Sequence, residues 1–286
     1  VTATLDSKLE PLDVANPGTD DQQFTSVTTI IGALDKPALV YWSAEMAAKA
    51  AVQVAGTLAA RVAEEGPEAV IKWLRDAQFR RPKGQRSAAE LGTAVHGACE
   101  EYALTGQRPE VDDEVRPFLD RFDAWLQLWQ PSYEAVETTV YSRTYGYAGT
   151  LDAIAVIDGQ RLLVDYKSSK KSKDNQGKDT TPYPEVGLQL AAYRHAELAA
   201  TWRPRRYEKF RRRYYLLGAD EREMSLPVPE VDGAVAIHLT PEHCDAYPVR
   251  CDQAVFEAFL FCLEAFRWQS ELSKTVIGAP LVREGA

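Results

Sequence analysis

Three apolar runs in the middle of the chain alternate and break as strands do. Residues Val136–Tyr145, Tyr147–Ile157 and Gln160–Ser168 are rich in β-branched and aromatic side chains. The last two flank Asp158-Gly159, a dipeptide suited to a tight hairpin. These spans predict a three-stranded meander. Upstream the period changes. Ser87 with Glu90 makes a capping box that opens a helix running to about Leu104 and stopping at Gly106. A second amphipathic helix over roughly Asp112–Trp129 ends before Pro131. Nearer the start, a short β-branched run from Phe24 leads into an alanine-rich helix from about Lys36, and another helix is predicted over Pro67–Phe79. Downstream, Glu185–Ala200 reads as helix, Phe210–Leu217 and Val235–Leu239 as strands, and Cys251–Leu272 as a long aromatic-rich helix. The order predicts an α+β (mixed α/β) architecture, a central mixed sheet flanked by helices. Residues 1–23 are expected to be a flexible arm, 24–86 a helical N-terminal region, and 87–286 the sheet-bearing core.

Composition narrows the classes. The chain has 286 residues, 45% hydrophobic and 26% charged, an ordinary globular balance. It contains no eighteen-residue apolar stretch, so no membrane span is expected. Its polar, acidic start lacks the blocks of a signal peptide, which predicts a cytoplasmic protein. The net charge of −9 argues against a polyanionic partner until its distribution is considered. Residues 161–215 hold 14 Lys and Arg against 6 Asp and Glu, while the remainder holds 19 against 36. An acidic body with one basic sector fits a polyanion groove.

The hairpin carries the candidate chemistry. Asp152 and Asp165 lie at the edges of its apolar runs, and Lys167 shares a strand face with Asp165 because side chains alternate. Charges at strand ends are ordinarily solvated, and D-x-K alone does not separate a site from a polar rim. Mg²⁺, however, is held by one or two carboxylates, with waters and substrate phosphate completing its shell. A lysine beside that ion can orient water or neutralise charge on an attacked phosphate. The Tyr166 backbone carbonyl, between Asp165 and Lys167, is a further candidate ligand. Upstream, GTAVHGACEEY places His96 on a helix with the small residues Gly92, Ala94, Gly97 and Ala98, which permit close packing on a sheet. Downstream, GLQLAAYRHAE puts Gln189 and Tyr193 on one helix face.

The series G-T-A-V-H, G-T-L-D, D-Y-K and Q-L-A-A-Y resembles the RecB-like branch of the PD-(D/E)XK nucleases, in order, over roughly residues 87–200. The opening TSVTTIIGALDKPALVYWSAEMAAKAA is similar to the N-terminal segment of nucleases encoded by bacteriophages of actinobacteria, which are themselves similar to the CRISPR-associated RecB-like exonucleases. The resemblance implies a restriction-endonuclease-like core over 87–286. In it Asp152 and Asp165 would be the metal carboxylates, His96 a further ligand, Lys167 the catalytic lysine, and Gln189 and Tyr193 the flanking helix. Glu137 and Glu100 are expected behind the ligands, holding them. The implied cofactor is Mg²⁺ or Mn²⁺.

Related iron–sulfur nucleases carry a cysteine upstream of the core and a tight C-terminal cysteine group. Here Cys244, Cys251 and Cys262 are separated by six and ten residues, and Cys99 sits within the His96 helix, so an iron–sulfur cluster is not expected. Lys170, Lys171 and Lys173 fall in a loop expected to be mobile. Arg205, Arg206, Arg211, Arg212 and Arg213 interleave with aromatics in WRPRRYEKFRRRYY. Both segments are candidate DNA contacts. The expected function is a metal-dependent DNA exonuclease acting on single-stranded DNA or duplex ends in phage recombination, repair or replication, with a phage recombination protein as a candidate partner. A nicking or structure-specific endonuclease and an inactive DNA-binding module are the alternatives.

Overall fold

The computed structural model describes residues 21–79, 86–174, 176–200, 206–208, 213–217 and 225–280. The chain divides into two compact units, Leu34–Glu90 and the remainder. It enters the larger unit with β1 (Asp21–Ser26) and α1 (Val27–Ile31). Phe24–Ile31, expected to open the helical region, lie in this unit with the sheet. Phe24, Val27 and Ile30 are fully buried there.

The smaller unit consists of α2 (Pro37–Gln53), α3 (Leu58–Glu65), α4 (Pro67–Arg75) and a 3-10 turn over Asp76–Phe79. Proline opens α2 and α4, where its missing N–H costs nothing. Gly66, at φ 84°, separates α3 from α4. Arg61 lies 4.2 Å over the Trp73 ring and pairs with Glu65.

The predicted capping box opens α5 (Ala88–Thr105): the Glu90 N–H donates to Ser87 Oγ at 2.8 Å, and the Ser87 N–H to Glu90 Oε2 at 2.6 Å. Gly106 ends the helix at φ 67°. In α6 (Arg116–Trp129) Phe118, Leu119, Phe122 and Trp125 form one buried stripe. The turn before it is held by Asp112, whose Oδ1 accepts from the Glu114 and Val115 N–H groups.

The meander forms as β2 (Ser132–Ser142), β3 (Tyr147–Ile157) and β4 (Gln160–Ser168). Asp158 and Gly159 both have positive φ, 50° and 77°, as a two-residue I′ turn requires. The helix expected to reach Ala200 is shorter: α7 spans Glu185–Arg194, and β5 (Leu198–Ala200) pairs with β2. Glu197 explains the break. Its carboxylate accepts from Ser142 Oγ and from the Arg143 and Thr144 N–H groups, which fixes the chain beside the β2–β3 turn. Then come β6 (Arg206–Glu208), β7 (Arg213–Leu217), β8 (Ser225–Pro227), β9 (Gly233–Leu239), β10 (Cys244–Val249) and α8 (Gln253–Ser270).

The strands make one mixed sheet in the order β10-β9-β4-β3-β1-β7-β6, with β2 joining β3 and β5, and β5 joining β8. The β4–β9 and β1–β3 pairs are parallel. On one face α5 and α6 bury Val95, Cys99, Phe118 and Phe122 against Ala153, Ala155, Val164, Tyr166, Val235 and Ile237. On the other, α7 and α8 pack together and the β3 residue Tyr147 reaches both, its hydroxyl donating to Ala192 O and its ring meeting Phe259. No helix among the described residues is long and apolar enough to cross a membrane.

The β3–β4 ladder runs from Ile157↔Gln160 to Ala153↔Val164, while β1 meets β3 only at Tyr147 and Ala148. Among the described residues, Gly149–Asp152 therefore lie at a fork where β4 leaves β3. A Cβ on Gly149 would stand 2.5 Å from Tyr193 Cε1 of α7 and 3.0 Å from its hydroxyl. Gly149→Ala is expected to cost about 1–3 kcal/mol by overpacking, read as a lower urea midpoint, and should cost nothing further in a Tyr193→Ala background, where the ring is gone. An unchanged midpoint in the single variant would show that the ring has room to move.

Candidate active site

At the fork the Asp152 carboxylate takes over from the ladder. Its Oδ2 accepts the Tyr166 N–H at 2.7 Å, and the side chain is 5% exposed as a residue. Asp165, 1% exposed, is held from two sides: Gln189 Nε2 donates to its Oδ1 at 3.0 Å, and Lys167 Nζ lies 2.5 Å from its Oδ2. Gln189 Nε2 also lies 3.2 Å from Tyr193 Oη, so the two α7 residues act as one bracket. A strand residue points its N–H and C=O toward the same edge, so the Tyr166 carbonyl also faces the fork. Its ring turns the other way, into the core between His96 and Phe122.

From α5, His96 Nε2 reaches 2.8 Å from Asp152 Oδ2 and 3.5 Å from Glu100 Oε1. Neither contact has the geometry of a hydrogen bond, which leaves that buried nitrogen without one. One ligand atom each from His96, Glu100 and Asp152 lies within 4.8 Å of the others. Glu100, expected in a supporting place, thus stands directly beside His96 and Asp152. Glu137 stands between the registered pairs Val136↔Ala153 and Thr138↔Leu151, alongside Asp152, with φ 51°. A non-glycine residue in this region is strained by about 1–3 kcal/mol.

Crowded carboxylates shift one another's protons. Burial pushes Asp165 up to about 6, opposed by Lys167 and reinforced by Asp152. Burial and the hydrogen bond with Glu137 push Glu100 up to about 8, opposed by His96. For His96, burial disfavours the charged ring, but Asp152 and Glu100 outweigh it and its pKa rises. Crowded carboxylates whose protons are displaceable, beside an imidazole nitrogen, could hold a divalent cation. The mixed oxygen and nitrogen donors suit Mn²⁺ as well as Mg²⁺.

The basic segments are less gathered. Lys170 and Lys171 are exposed after β4, while Lys173 pairs with Asp179 at 3.0 Å. Their loop, expected to be mobile, is tied down where Ser172 Oγ bonds Thr240 Oγ1 and Thr180 Oγ1 bonds Lys171 O. Arg205, Arg211 and Arg212 lie outside the described residues, and Arg206 and Arg213 occupy positions in β6 and β7. The cysteines fall in two layers. Cys99 and Cys244 belong to the core around α5 and α6, whereas Cys251 meets Arg194 and Cys262 bonds Ala258 O within α8. An open groove of about 720 Å³ between α6, the β3–β4 turn and β10 is lined by Trp125, Leu128 and Trp129, and by none of the site residues.

One buried polar residue beside the site carried no motif: His238, on β9, registered with Lys167. Only the pairing of strands some seventy residues apart puts it there. No protein-family model and no curated protein matches this chain.

The shifts give the sign of a pH effect on the metal-free protein. The folded state keeps protons on Asp165 and Glu100 that the unfolded chain, at 3.8 and 4.5, has lost, so stability falls as pH rises toward about 6 and about 8. His96 acts in the same direction, since its stabilisation is present below 6.5 and lost as pH rises through its higher folded value. Thermal midpoints in chelator should fall between about pH 5 and pH 8. Glu100→Gln should flatten the upper part and melt higher than wild type at the alkaline end. Mn²⁺ should raise the wild-type midpoint most at that end, because ligands bind deprotonated. A midpoint that climbs with pH in chelator would contradict this electrostatic account.

Proposed function

We propose that this chain is a divalent-metal-dependent deoxyribonuclease with a PD-(D/E)XK core of the RecB-like branch, acting as an exonuclease at DNA ends. The observation that carries the reading is the meeting of Asp152 and Asp165 with Lys167 at the fork, with His96 on one side and Gln189 and Tyr193 on the other.

Mg²⁺ or Mn²⁺ would be held by Asp152, Asp165, His96 and the Tyr166 carbonyl, with Glu100 within reach. When bound, it supplies a Lewis acid and a water of lowered pKa. The chain's own residues do the rest. Gln189 fixes the Asp165 carboxylate, and Tyr193 fixes Gln189. Lys167 balances Asp165 and carries positive charge to where the attacked phosphate gains negative charge. The side chain of Lys167 is about one-third exposed, at 32%, so substrate can reach it while Asp165 stays covered. The basic stretch after β4 supplies non-specific attraction for the nucleic-acid backbone.

End-labelled linear and closed circular DNA, single- and double-stranded, incubated with Mg²⁺, Mn²⁺ or chelator, tests the reading. Mononucleotides should appear from linear DNA with either metal and not with chelator. Asp165→Asn should lower the rate by at least about a thousandfold, the several kcal/mol a metal site contributes, and retain the fold. Full activity in that variant would remove the metal-site assignment. Nicked circles would move the activity to an endonuclease, and intact DNA that is still bound would leave a binding module.

A further inference from the structure

The side chains of Asp165 and Lys167 share the α7 face of β4, and the next on that face is Ser169, whose N–H still pairs with Leu239 O at 2.9 Å. Beside this row runs β9, with Ala236 registered against Asp165 and His238 against Lys167. Val235, Ile237 and Leu239 fill the opposite core, so His238 stands on the same face as Lys167. It is 2% exposed, and its Nε2 lies 2.9 Å from Ser169 Oγ. From β10, Asp245 is registered opposite it and the Tyr247 ring stands 6.2 Å away.

We propose that Ser169 is a substrate contact of this nuclease, donating its hydroxyl hydrogen to the phosphate next to the scissile one, and that His238 is the positioning residue that aims it. The inference rests on the nuclease reading above. Ser169 is half-buried and its histidine buried, so the hydroxyl and not the ring is what a substrate reaches. Phosphate oxygens only accept. Ser169 can serve one only if its O–H is free, which requires His238 to donate Nε2–H to Ser169 Oγ. Burial holds the imidazole below its ordinary pKa against the nearby Asp245, so the ring is neutral and has one N–H to give. Residues two apart on a strand are about 6.7 Å apart, so a backbone with one phosphate at Lys167 brings a neighbouring phosphate to Ser169. Lys170 and Lys171, both exposed, continue the line.

The test is steady-state cleavage of a short end-labelled oligonucleotide with Mn²⁺, in the full chain, together with copies carrying a single neutral methylphosphonate at each position near the end. Ser169→Ala should raise KM roughly tenfold and hold kcat within about twofold, as for one lost hydrogen bond to a charged oxygen away from the reacting atoms. A methylphosphonate at the phosphate adjoining the scissile one should cost wild type a similar factor and Ser169→Ala nothing more. His238→Leu should match Ser169→Ala, and His238→Gln, which keeps an N–H donor at that reach, should restore KM. Should His238→Leu fail to fold, the serine and glutamine variants decide the matter. An unchanged KM in Ser169→Ala, or a methylphosphonate penalty that adds to it in full, overturns the proposal. Wild type that leaves every DNA intact overturns it as well, and only that outcome takes the nuclease reading with it.

Discussion

Beyond Ala153 the β3–β4 hairpin stops being a hairpin: the Asp152 carboxylate, in place of a β3 carbonyl, accepts the Tyr166 N–H at 2.7 Å. A backbone donor at an opening ladder must find a partner or bear the cost of burial without one. Asp152 meets that need, and in doing so it is fixed, covered and aimed. At the fork it bridges, helices from both faces of the sheet supply side chains to neighbouring carboxylates. His96 and Glu100 arrive from α5, and Gln189 and Tyr193 from α7. Gly149, without a side chain, leaves the space that Tyr193 occupies.

The arrangement concentrates negative charge where water is scarce. Asp165 at about 6 and Glu100 at about 8 express how strongly this geometry resists full ionisation. Lys167 relieves Asp165 and His96 opposes the rise at Glu100, with the left-handed backbone of Glu137 alongside. Strain and mutual repulsion are common prices of a preorganised site. A divalent cation among these donors would relieve the mutual repulsion of the carboxylates.

The substrate side follows from the strand that carries the lysine. Asp165, Lys167 and Ser169 share one face of one chain segment, so the buried carboxylate, the half-buried lysine and the proposed phosphate contact follow one another in order. Rigid pairing with β9 keeps that order, since the register holds through Ser168↔Leu239. A site built on paired strands is held to closer tolerance than one on a loop.

Much of this was legible in the sequence. Local chemistry dictates local structure, so the Ser87–Glu90 capping box, the Asp158-Gly159 turn and the two strands of its hairpin stood where the pattern put them, while the first strand, expected over Val136–Tyr145, begins earlier and ends at Ser142. Asp165 and Lys167 share a face by strand periodicity alone, and Gln189 and Tyr193 by helical periodicity. Other features needed the folded chain. That Phe24–Ile31 joins the sheet depends on β1 pairing with β3 and β7, and that α7 stops at Arg194 depends on the β2–β3 turn demanding Glu197. Glu100's place beside His96 and Asp152, and His238's place beside Lys167, come from helix-on-sheet packing and from a parallel β4–β9 pair. The physical reason is the range of the forces. Turn and capping preferences act over a few residues, whereas strand pairing and burial join segments that the sequence holds far apart.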